Sequence, residues 1–262
     1  MSRRDENAIK AKSWLNAMKE DKHWSTSIER AKSKSYVYRD YLIQDNDRHY
    51  CENNVGIANN IHIVDDTSYG ALVKNYRICD CICLLNFASY YRPGGGFLKG
   101  SYSQEESLCH VSGLYPVLKS QHVYKDRAKE TDVPCTYKSE IIYSPDVPFT
   151  TVPDTLGDAM LVDVISCAAP NCNRVPISKR KLVEEEIAKR LEACYLIPYI
   201  RGTNVLILGA WGCGVFKNDV SYVAHIFSEL NKKYGSVYDK VIYAIPNQSM
   251  RNTFEQVFKC EA

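Results

Sequence analysis

The amino-acid sequence predicts an α/β fold in which helices cover both faces of a mixed sheet. Strand-like runs that are apolar almost throughout recur along the chain, and helical patterns alternate with the later ones. Strands of this kind are buried on both faces, so helices must pack on each side of the sheet. The chain has 262 residues and 45% hydrophobic content, which is enough for one sizeable domain.

Residues 1–34 favour helix, because apolar side chains recur there at helical spacing in an otherwise polar segment. We therefore predict an N-terminal helical accessory segment over residues 1–40, packed on a main domain over residues 41–262. The predicted strands are Ile61–Val64, Ile78–Asn86, Ile141–Tyr143, Leu161–Ser166, Asn204–Gly209 and Lys240–Ile245. The predicted later helices are Lys181–Tyr195, Asp219–Leu230 and Ser249–Lys259.

Charge and hydropathy argue against several kinds of partner. The net charge of +2 supplies no basic field for nucleic acid, and no apolar run approaches the length of a membrane span. The N-terminus lacks the apolar stretch that a secretory signal needs. We therefore expect no membrane partner and no sequence-specific nucleic-acid partner.

The 11 cysteines indicate reduced thiols in preference to a disulfide framework, because the number is odd. Cys79, Cys81 and Cys83 alternate along a predicted strand, so their side chains would share one face and pack in the core. Cys167 and Cys172 lack a second pair at zinc-binding spacing. These patterns predict a cytoplasmic or nuclear protein without a metal site.

Two glycine-rich loops follow two of the predicted strands. The triplet Gly94–Gly96 comes after the strand that ends at Asn86, and Gly212–Phe216 comes after Asn204–Gly209. The triplet alone is compatible with a tight loop that binds nothing. Without Cβ atoms, however, its backbone can also fold around a bulky anion through N–H groups. Ligands of such folds bind beyond the carboxyl ends of strands, so we predict that both loops converge on one crevice.

Two adjacent carboxylates, Glu105 and Glu106, follow the triplet at a predicted helix start. One interpretation is structural, because Ser103 and Glu106 have the spacing of a capping box and carboxylates favour a first helical turn. The other is catalytic, because paired carboxyls beside a phosphate-binding loop suit hydrolysis of a phosphorylated sugar. On these residues alone the structural interpretation is favoured.

The order of glycine triplet, short spacer and Gln104-Glu105-Glu106 resembles the signature of microbial-type poly(ADP-ribose) glycohydrolases. This resemblance implies a macrodomain-like three-layer α/β/α sandwich with a mixed sheet and an N-terminal helical extension, and makes residues 41–262 the catalytic domain. The spacer Lys99–Tyr102 departs from the family, in which glycine, alanine and arginine are more usual. Further blocks similar to this family are Asn86-Phe87-Ala88, Ser107-Leu108-Cys109, Gly113–Pro116, Tyr143–Val147, Ala168–Asn171 and Gly209–Phe216.

The resemblance also implies a role for each site residue. Glu106 is the catalytic acid/base, Glu105 positions the ribose whose oxygen departs, and no metal or cofactor is required. Asn86 either forms a turn or, as the resemblance suggests, binds hydroxyl groups of the distal ribose. Phe216 either is a core residue or, because it ends a polar glycine loop, stacks on that ribose or on adenine. The other residues assigned to substrate binding are Gly94, Gly95, Gly96, Gln104, Gly212, Cys213, Gly214, Val215, Pro170 and Asn171.

The activity that the resemblance implies is hydrolysis of ribose–ribose O-glycosidic bonds, mainly at the ends of poly(ADP-ribose), by a monomer that releases ADP-ribose. The expected partners are poly(ADP-ribose) or ADP-ribosylated proteins. We expect the segment Tyr143–Phe149 to wall the site or to line an adenine pocket. Two alternatives stay open: a non-catalytic ADP-ribose-binding macrodomain, and a hydrolase of mono-ADP-ribosyl linkages or of ADP-ribose 1″-phosphate.

Overall fold

A seven-stranded sheet runs through the computed structural model, which describes residues 1–39, 60–76, 78, 81–130 and 136–260. The strands are β1 (Tyr36–Arg39), β2 (Ile61–Val64), β3 (Ile82–Phe87), β4 (Glu140–Phe149), β5 (Met160–Cys167), β6 (Val205–Leu208) and β7 (Lys240–Ala244). Their order across the sheet is β1-β4-β5-β3-β6-β7-β2. The pairs β3/β6, β6/β7 and β2/β7 are parallel.

Helices alternate with these strands, which confirms the predicted α/β class. No helix in the described part of the chain is both long and apolar enough to cross a membrane. The helices of the described residues are α1 (Arg3–Glu20), α2 (Lys22–Lys34), α3 (Ser68–Tyr76), α4 (Gln104–Cys109), α5 (Leu114–Ser120), α6 (His122–Arg127), α7 (Arg180–Ile200), α8 (Val220–Tyr234) and α9 (Gln248–Cys260).

The strand predicted at Ile78–Asn86 is shorter at its start than the sequence indicates. It begins at Ile82, and Cys81 before it is exposed with a φ of +52°, a value that no β-strand adopts. Cys83 is buried as expected, and Cys79 lies outside the described residues. The prediction that three cysteines share one strand face is therefore wrong for Cys81.

The segment Tyr143–Phe149 was expected to wall the site, but it belongs to the long strand β4. Asp146 within it has a φ of +56° and forms ion pairs with Arg30 at 3.0 Å and Lys34 at 2.7 Å. Its N–H also donates to Oδ1 of Asp163 at 3.0 Å. These contacts with α2 and β5 hold the segment in the sheet, and its expected role as a wall of the site or part of an adenine pocket stays a prediction.

The residues group into two compact units. Both N-terminal helices fall in the first unit, which also contains α4, whereas β6 and β7 fall in the second. The division at residue 40 into an accessory segment and a main domain stays a prediction. The first unit comprises Met1–Val37, Asn86–Asp132 and Ile142–Ala168, and the second comprises Tyr38–Leu85, Val133–Ile141 and Ala169–Ala262.

Within the first unit, α1 holds the turn that leads from the glycine triplet to α4. Arg4 donates from Nε to the Lys99 carbonyl at 2.9 Å, and Asn7 donates from Nδ2 to the Gly100 carbonyl at 3.4 Å. Gly100 has a φ of +75° and packs so closely that a Cβ there would lie 1.8 Å from the Arg4 carbonyl oxygen. The turn can therefore be closed by glycine alone.

Two buried tryptophans fix α1 and α2 in the same unit. Their rings meet edge to face, with 5.6 Å between the centroids of Trp14 and Trp24. Each indole N–H is satisfied, because Trp14 donates to the Ser112 carbonyl at 3.1 Å and Trp24 to the Gly157 carbonyl at 2.9 Å. The N-terminal helices are thus anchored by hydrogen bonds as well as by apolar burial.

In the second unit, β6 is buried at all four of its residues. Hydroxyl groups of Tyr195 and Tyr243 share the buried Oδ1 of Asn231, so the core beside β7 contains a hydrogen-bonded polar cluster. A strand that is buried on both faces has one register, because a slip would move its apolar side chains out of their places in the core. The register of β6 therefore fixes Leu208 as the residue after which the chain leads into the second glycine loop.

The Gly100 turn gives a prediction for stability. We expect Gly100→Ala to lower the free energy of unfolding by roughly 2–5 kcal/mol, because strain at positive φ adds to the displacement of α1. Gly202→Ala is the matched control, since Gly202 has a φ of +83° but no atom within 4 Å of the added Cβ. It should cost only about 1–2 kcal/mol. Urea denaturation of both variants measures the difference, and equal losses would contradict the α1 contact.

Candidate active site

Two buried carboxyl groups lie in the first turn of α4. Glu105 and Glu106 are 3% and 7% exposed. Carboxyl groups are seldom buried so fully unless other groups satisfy them, because burial of an uncompensated charge is costly. The hydrogen bonds of each oxygen therefore show how this part of the chain is organised.

Both oxygens of Glu106 accept hydrogen bonds from the backbone. Oε1 accepts from the Gly96 N–H at 2.7 Å, and Oε2 accepts from the Ser103 N–H at 2.9 Å. The second bond belongs to the capping box, so the structural interpretation of the sequence is confirmed. The first bond is not part of a helix cap, because it joins the carboxyl to the glycine triplet. The side chain of Glu106 therefore caps α4 and also accepts a hydrogen bond from the glycine triplet.

Glu105 is oriented by the ends of β3 and β5. Its Oε2 accepts from the Ser89 N–H at 2.8 Å, and its Oε1 accepts from Nδ2 of Asn86 at 3.3 Å. Nδ2 of Asn86 also donates to Oγ of Ser166 at 3.0 Å. Asn86 is fully buried. The contact that Asn86 makes here is therefore with Glu105, whereas the sequence suggested a ribose.

The environment of Glu105 changes its protonation. Burial raises the pKa of Glu105 from 4.5 to about 8, and the charge of Glu106 adds to this effect. Hydrogen bonds from Ser89 and Asn86 act in the opposite direction. At neutral pH this carboxyl accordingly carries a proton. Two adjacent glutamates in one helical turn thus have different surroundings, which is the usual arrangement of an acid/base pair.

The glycine triplet is shaped to lie against this pair. Gly94 and Gly95 have φ values of +66° and +57°. A Cβ on Gly95 would lie 2.5 Å from Oε1 of Glu106 and 3.0 Å from Oε2 of Glu105. A Cβ on Gly94 would lie 2.7 Å from the ring of Tyr115. Glycine is required here by the backbone conformation and by the two carboxyl groups that face Gly95.

Two N–H groups of the triplet donate to protein oxygen atoms. Gly95 donates to the Arg92 carbonyl at 2.9 Å, and Gly96 donates to Oε1 of Glu106 at 2.7 Å. These two bonds shape the triplet against the carboxyl pair. The anion cradle that the sequence suggested for Gly94–Gly96 stays a prediction.

Gln104 also serves the geometry of the pair. Its Oε1 accepts from the Phe87 N–H at 2.9 Å, which ties the first residue of α4 to the end of β3. Gln104, which the sequence assigned to substrate binding, therefore has its side-chain oxygen engaged by the backbone, and its substrate contact stays a prediction.

Three residues of this site were not singled out from the sequence. Ser89 and Ser166 lie at or near strand ends, and that position was the available signal for both. Tyr124 has a buried hydroxyl that makes no hydrogen bond with any described residue. Burial, and then the charge of Glu105, raise the pKa of this phenol. Nothing local in the sequence around Tyr124 indicates that it lies near the pair.

The second unit carries the other glycine loop, which begins after β6. Gly212 has a φ of +75°, and its carbonyl accepts from Nδ2 of Asn218 at 3.0 Å. The same Nδ2 donates to the Pro170 carbonyl at 3.0 Å, and Oδ1 of Asn218 accepts from the Cys172 thiol at 2.9 Å. Asn218 therefore joins two predicted ligand-binding segments of this unit.

Three consecutive N–H groups of this loop have no acceptor. Gly214, Val215 and Phe216 donate no backbone hydrogen bond to any residue that the structure describes. Val215 is 70% exposed, so these donors lie at the surface of the second unit. Successive unpaired N–H groups of this kind can bind an anion. The predicted anion cradle is thus compatible with this loop.

The remaining predicted residues of the second unit make internal contacts. Cys213 is buried, and its thiol points to the Trp211 carbonyl at 3.5 Å. Oδ1 of Asn171 accepts from the Asn173 N–H at 3.1 Å. These contacts leave only backbone atoms of Cys213 for a ligand.

The sequence-predicted residues therefore separate into two groups. The first unit brings together Asn86, Gly94–Gly96, Gln104 and the glutamate pair, and the second brings together Pro170–Asn171 and Gly212–Phe216. The prediction that both glycine loops converge on one crevice stays a prediction. The eight cysteines within the described ranges are free thiols. No cluster of three metal-ligating side chains occurs in those ranges.

Comparison with protein families identifies one match. The family model described as microbial-type PARG, catalytic domain, matches residues 2–151. This range includes the glycine triplet and the glutamate pair. No curated protein matches the chain.

Solved structures match over nearly the whole chain. Poly(ADP-ribose) glycohydrolase from Deinococcus radiodurans, in complex with ADP-ribose, is 25% identical with a TM-score of 0.79, covering 89% of this chain and 97% of its own. The enzyme from Thermomonospora curvata is 24% identical with a TM-score of 0.82, covering 97% and 100%. A structure of the Thermomonospora curvata enzyme bound to the inhibitor ADP-HPD is 24% identical with a TM-score of 0.82, covering 97% of this chain and 99% of its own. The macrodomain-like α/β fold predicted from the sequence is confirmed.

The raised pKa of Glu105 predicts a dependence of stability on pH. The unfolded chain loses this proton near pH 4.5, whereas the folded chain holds it to about pH 8, so rising pH over this interval destabilises the wild type. Glu105→Gln removes the titration. The melting temperature of the variant, relative to wild type, should rise between pH 5 and pH 8 by at least about 2–4 °C, which corresponds to about 1 kcal/mol. If the difference in melting temperature between Glu105→Gln and wild type is the same at pH 5 and pH 8, a protonated Glu105 is contradicted.

Proposed function

Because the chain belongs to the family of microbial-type PARG catalytic domains, we propose that it is a poly(ADP-ribose) glycohydrolase. It hydrolyses ribose–ribose O-glycosidic bonds and releases ADP-ribose, mainly from chain ends. The observation that carries the proposal is the pair of buried carboxyls in α4, of which Glu105 is protonated at neutral pH. ADP-ribose in the complex of the Deinococcus radiodurans enzyme supports ADP-ribose as the product.

The reaction needs one acid/base group and one water molecule. The bond that breaks joins C1″ of the terminal ribose to the 2′-oxygen of the next adenosine. Glu106 delivers a proton to the departing oxygen, C1″ passes through an oxocarbenium-like state, and water adds to C1″ while its proton returns to Glu106. The products are ADP-ribose and a polymer shortened by one unit.

Glu105 has a different task in this proposal. A protonated carboxyl donates a hydrogen bond, so Glu105 holds the ribose beside Glu106 while Asn86 and Ser89 orient it. The glycine at position 95 leaves the space that faces both carboxyls clear of a side chain. The triplet thus contributes by positioning the acids, and the anion of the substrate is assigned to other donors.

Those donors are the N–H groups of Gly214, Val215 and Phe216. We assign to them a phosphate group of the ligand, because they are exposed and lack an acceptor within the described chain. The partners that follow are poly(ADP-ribose) or ADP-ribosylated proteins. Exo-action, a monomeric state and a reducing compartment, cytoplasmic or nuclear, remain predictions. We also propose that residues 1–40 act as an accessory segment, through the contacts of α1 described above.

The assignment of Glu106 predicts a separation of binding from turnover. Wild-type protein incubated with poly(ADP-ribose) should release ADP-ribose, and Glu106→Gln should lower turnover by roughly 10²–10⁴-fold while ADP-ribose still binds. Glu105→Gln should lose less, because glutamine keeps a hydrogen-bond donor at that position. Chromatography of the products with calorimetry of ADP-ribose binding measures both.

The outcomes of this experiment distinguish the alternatives. No release by a wild-type protein that still binds ADP-ribose would favour a non-catalytic ADP-ribose-binding macrodomain. Equal release by wild type and Glu106→Gln would remove Glu106 from the role of acid/base. Early products that are mixed long oligomers would contradict exo-action. Efficient removal of the last protein-linked unit would favour the hydrolysis of mono-ADP-ribosyl linkages.

A second prediction concerns the glycine loop of the second unit. Gly214 does not adopt a left-handed φ, and a Cβ there would meet no atom within 4 Å, so Gly214→Val should fold normally. It should nevertheless weaken ADP-ribose binding by roughly 2–3 kcal/mol, because the side chain obstructs charge-assisted bonds to phosphate. Gly157→Val is the matched control, since Gly157 is also exposed and free of neighbours. Wild-type affinity in a well-folded Gly214→Val protein would remove this loop from the site.

A further inference from the structure

An exposed tyrosine stands beside the carboxyl pair in the first unit. Tyr102 is 59% exposed, although it lies in the short segment between the glycine triplet and α4. Its hydroxyl makes no hydrogen bond with any described residue. The next residue, Ser103, donates its N–H to Oε2 of Glu106 at 2.9 Å. The backbone of Tyr102 is therefore one residue away from a direct contact with the proposed acid/base.

The ring of Tyr102 is held in place by other rings. It packs on His110 with 5.4 Å between centroids and 35° between planes, and His110 in turn meets the edge of Phe97 at 4.8 Å. Phe97 is fully buried and His110 is 6% exposed. Burial lowers the pKa of His110, so its ring is neutral at pH 7. One face of Tyr102 is thus supported by a rigid aromatic stack while much of the ring stays open to solvent.

His110 also places this stack relative to the acid. It follows Glu106 by four residues at the end of α4, and residues at this spacing lie on one face of a helix. The ring that supports Tyr102 therefore lies one helical turn from Glu106. The Ser103 bond to Oε2 of Glu106 joins the backbone next to Tyr102 to the same carboxyl.

The chemistry of the leaving group decides what that surface can bind. In poly(ADP-ribose), the departing 2′-oxygen belongs to an adenosine, and its base is attached to the neighbouring ribose carbon. A single ADP-ribose unit on a protein side chain has no base at that position. An aromatic platform beside the acid therefore discriminates polymer from single units, because adenine stacks on tyrosine whereas most side chains do not.

We infer that Tyr102, supported by His110 and Phe97, is a stacking platform for the adenine of the leaving nucleotide. This inference rests on the proposed function and adds to it a subsite on the polymer side of the scissile bond. It makes polymer, in preference to a protein-linked single unit, the better substrate of this chain.

Binding to an inactive protein tests the platform without turnover. In the Glu106→Gln background, calorimetry compares ADP-ribose with its dimer, which alone carries the second adenine. The dimer should bind about 5- to 100-fold more tightly, as stacking of one base predicts. Adding Tyr102→Ala should make the dimer bind no more tightly than ADP-ribose. The affinity for ADP-ribose should stay within about twofold of its value in the Glu106→Gln protein. Tyr102→Phe, which keeps the ring, should retain the tighter binding of the dimer.

A matched control and the contrary results complete the test. Tyr36→Ala removes a tyrosine that is 55% exposed on the edge strand β1, and it should preserve the preference for the dimer. The platform is overturned if the dimer still binds more tightly than ADP-ribose after Tyr102→Ala, or if it binds no more tightly while Tyr102 is present. In either case, binding of ADP-ribose itself upholds the proposed function. Loss of ADP-ribose binding in the Glu106→Gln protein would overturn both.

Discussion

The burial of two adjacent carboxyl groups in the first turn of α4 constrains the rest of the first unit. A buried carboxyl without donors costs several kcal/mol, so every oxygen of Glu105 and Glu106 needs a hydrogen bond. Most of these donors are backbone N–H groups, at Ser89, Gly96 and Ser103. Backbone donors cannot move independently of the chain. The pair therefore dictates the path of the residues from the end of β3 to the start of α4.

Glycine and α1 make that path possible. The turn brings the backbone at Gly95 so close to both carboxyls that a methyl group would collide with them, and positive φ values close it. Such a turn has few internal contacts of its own. Arg4 and Asn7 supply external ones at Lys99 and Gly100, so a helix distant in sequence stabilises the geometry of the acids.

The sequence predicted the features that depend on local order. Apolar runs located β2 and β6 closely, and the spacing of glycines and glutamates identified the carboxyl pair. Features that depend on tertiary contacts were missed. Nothing in the sequence shows that Glu106, beyond the spacer, folds back to accept a hydrogen bond from Gly96 of the triplet. Likewise, no local pattern announces that β4 extends to Phe149 through Asp146, which forms ion pairs with α2.

The same constraint explains how two identical, adjacent residues acquire different chemistry. A helix N-terminus acts on both glutamates in the same sense, so the macrodipole alone cannot distinguish them. What distinguishes them is position on the turn: Glu106 meets the triplet and the cap, whereas Glu105 is directed towards the buried side chain of Asn86 and retains its proton to about pH 8. The proposed reaction gives the proton transfers to Glu106 and the positioning of the ribose to Glu105. This division of roles rests on a one-residue step along a helix, and the capping box holds Glu106 in its place.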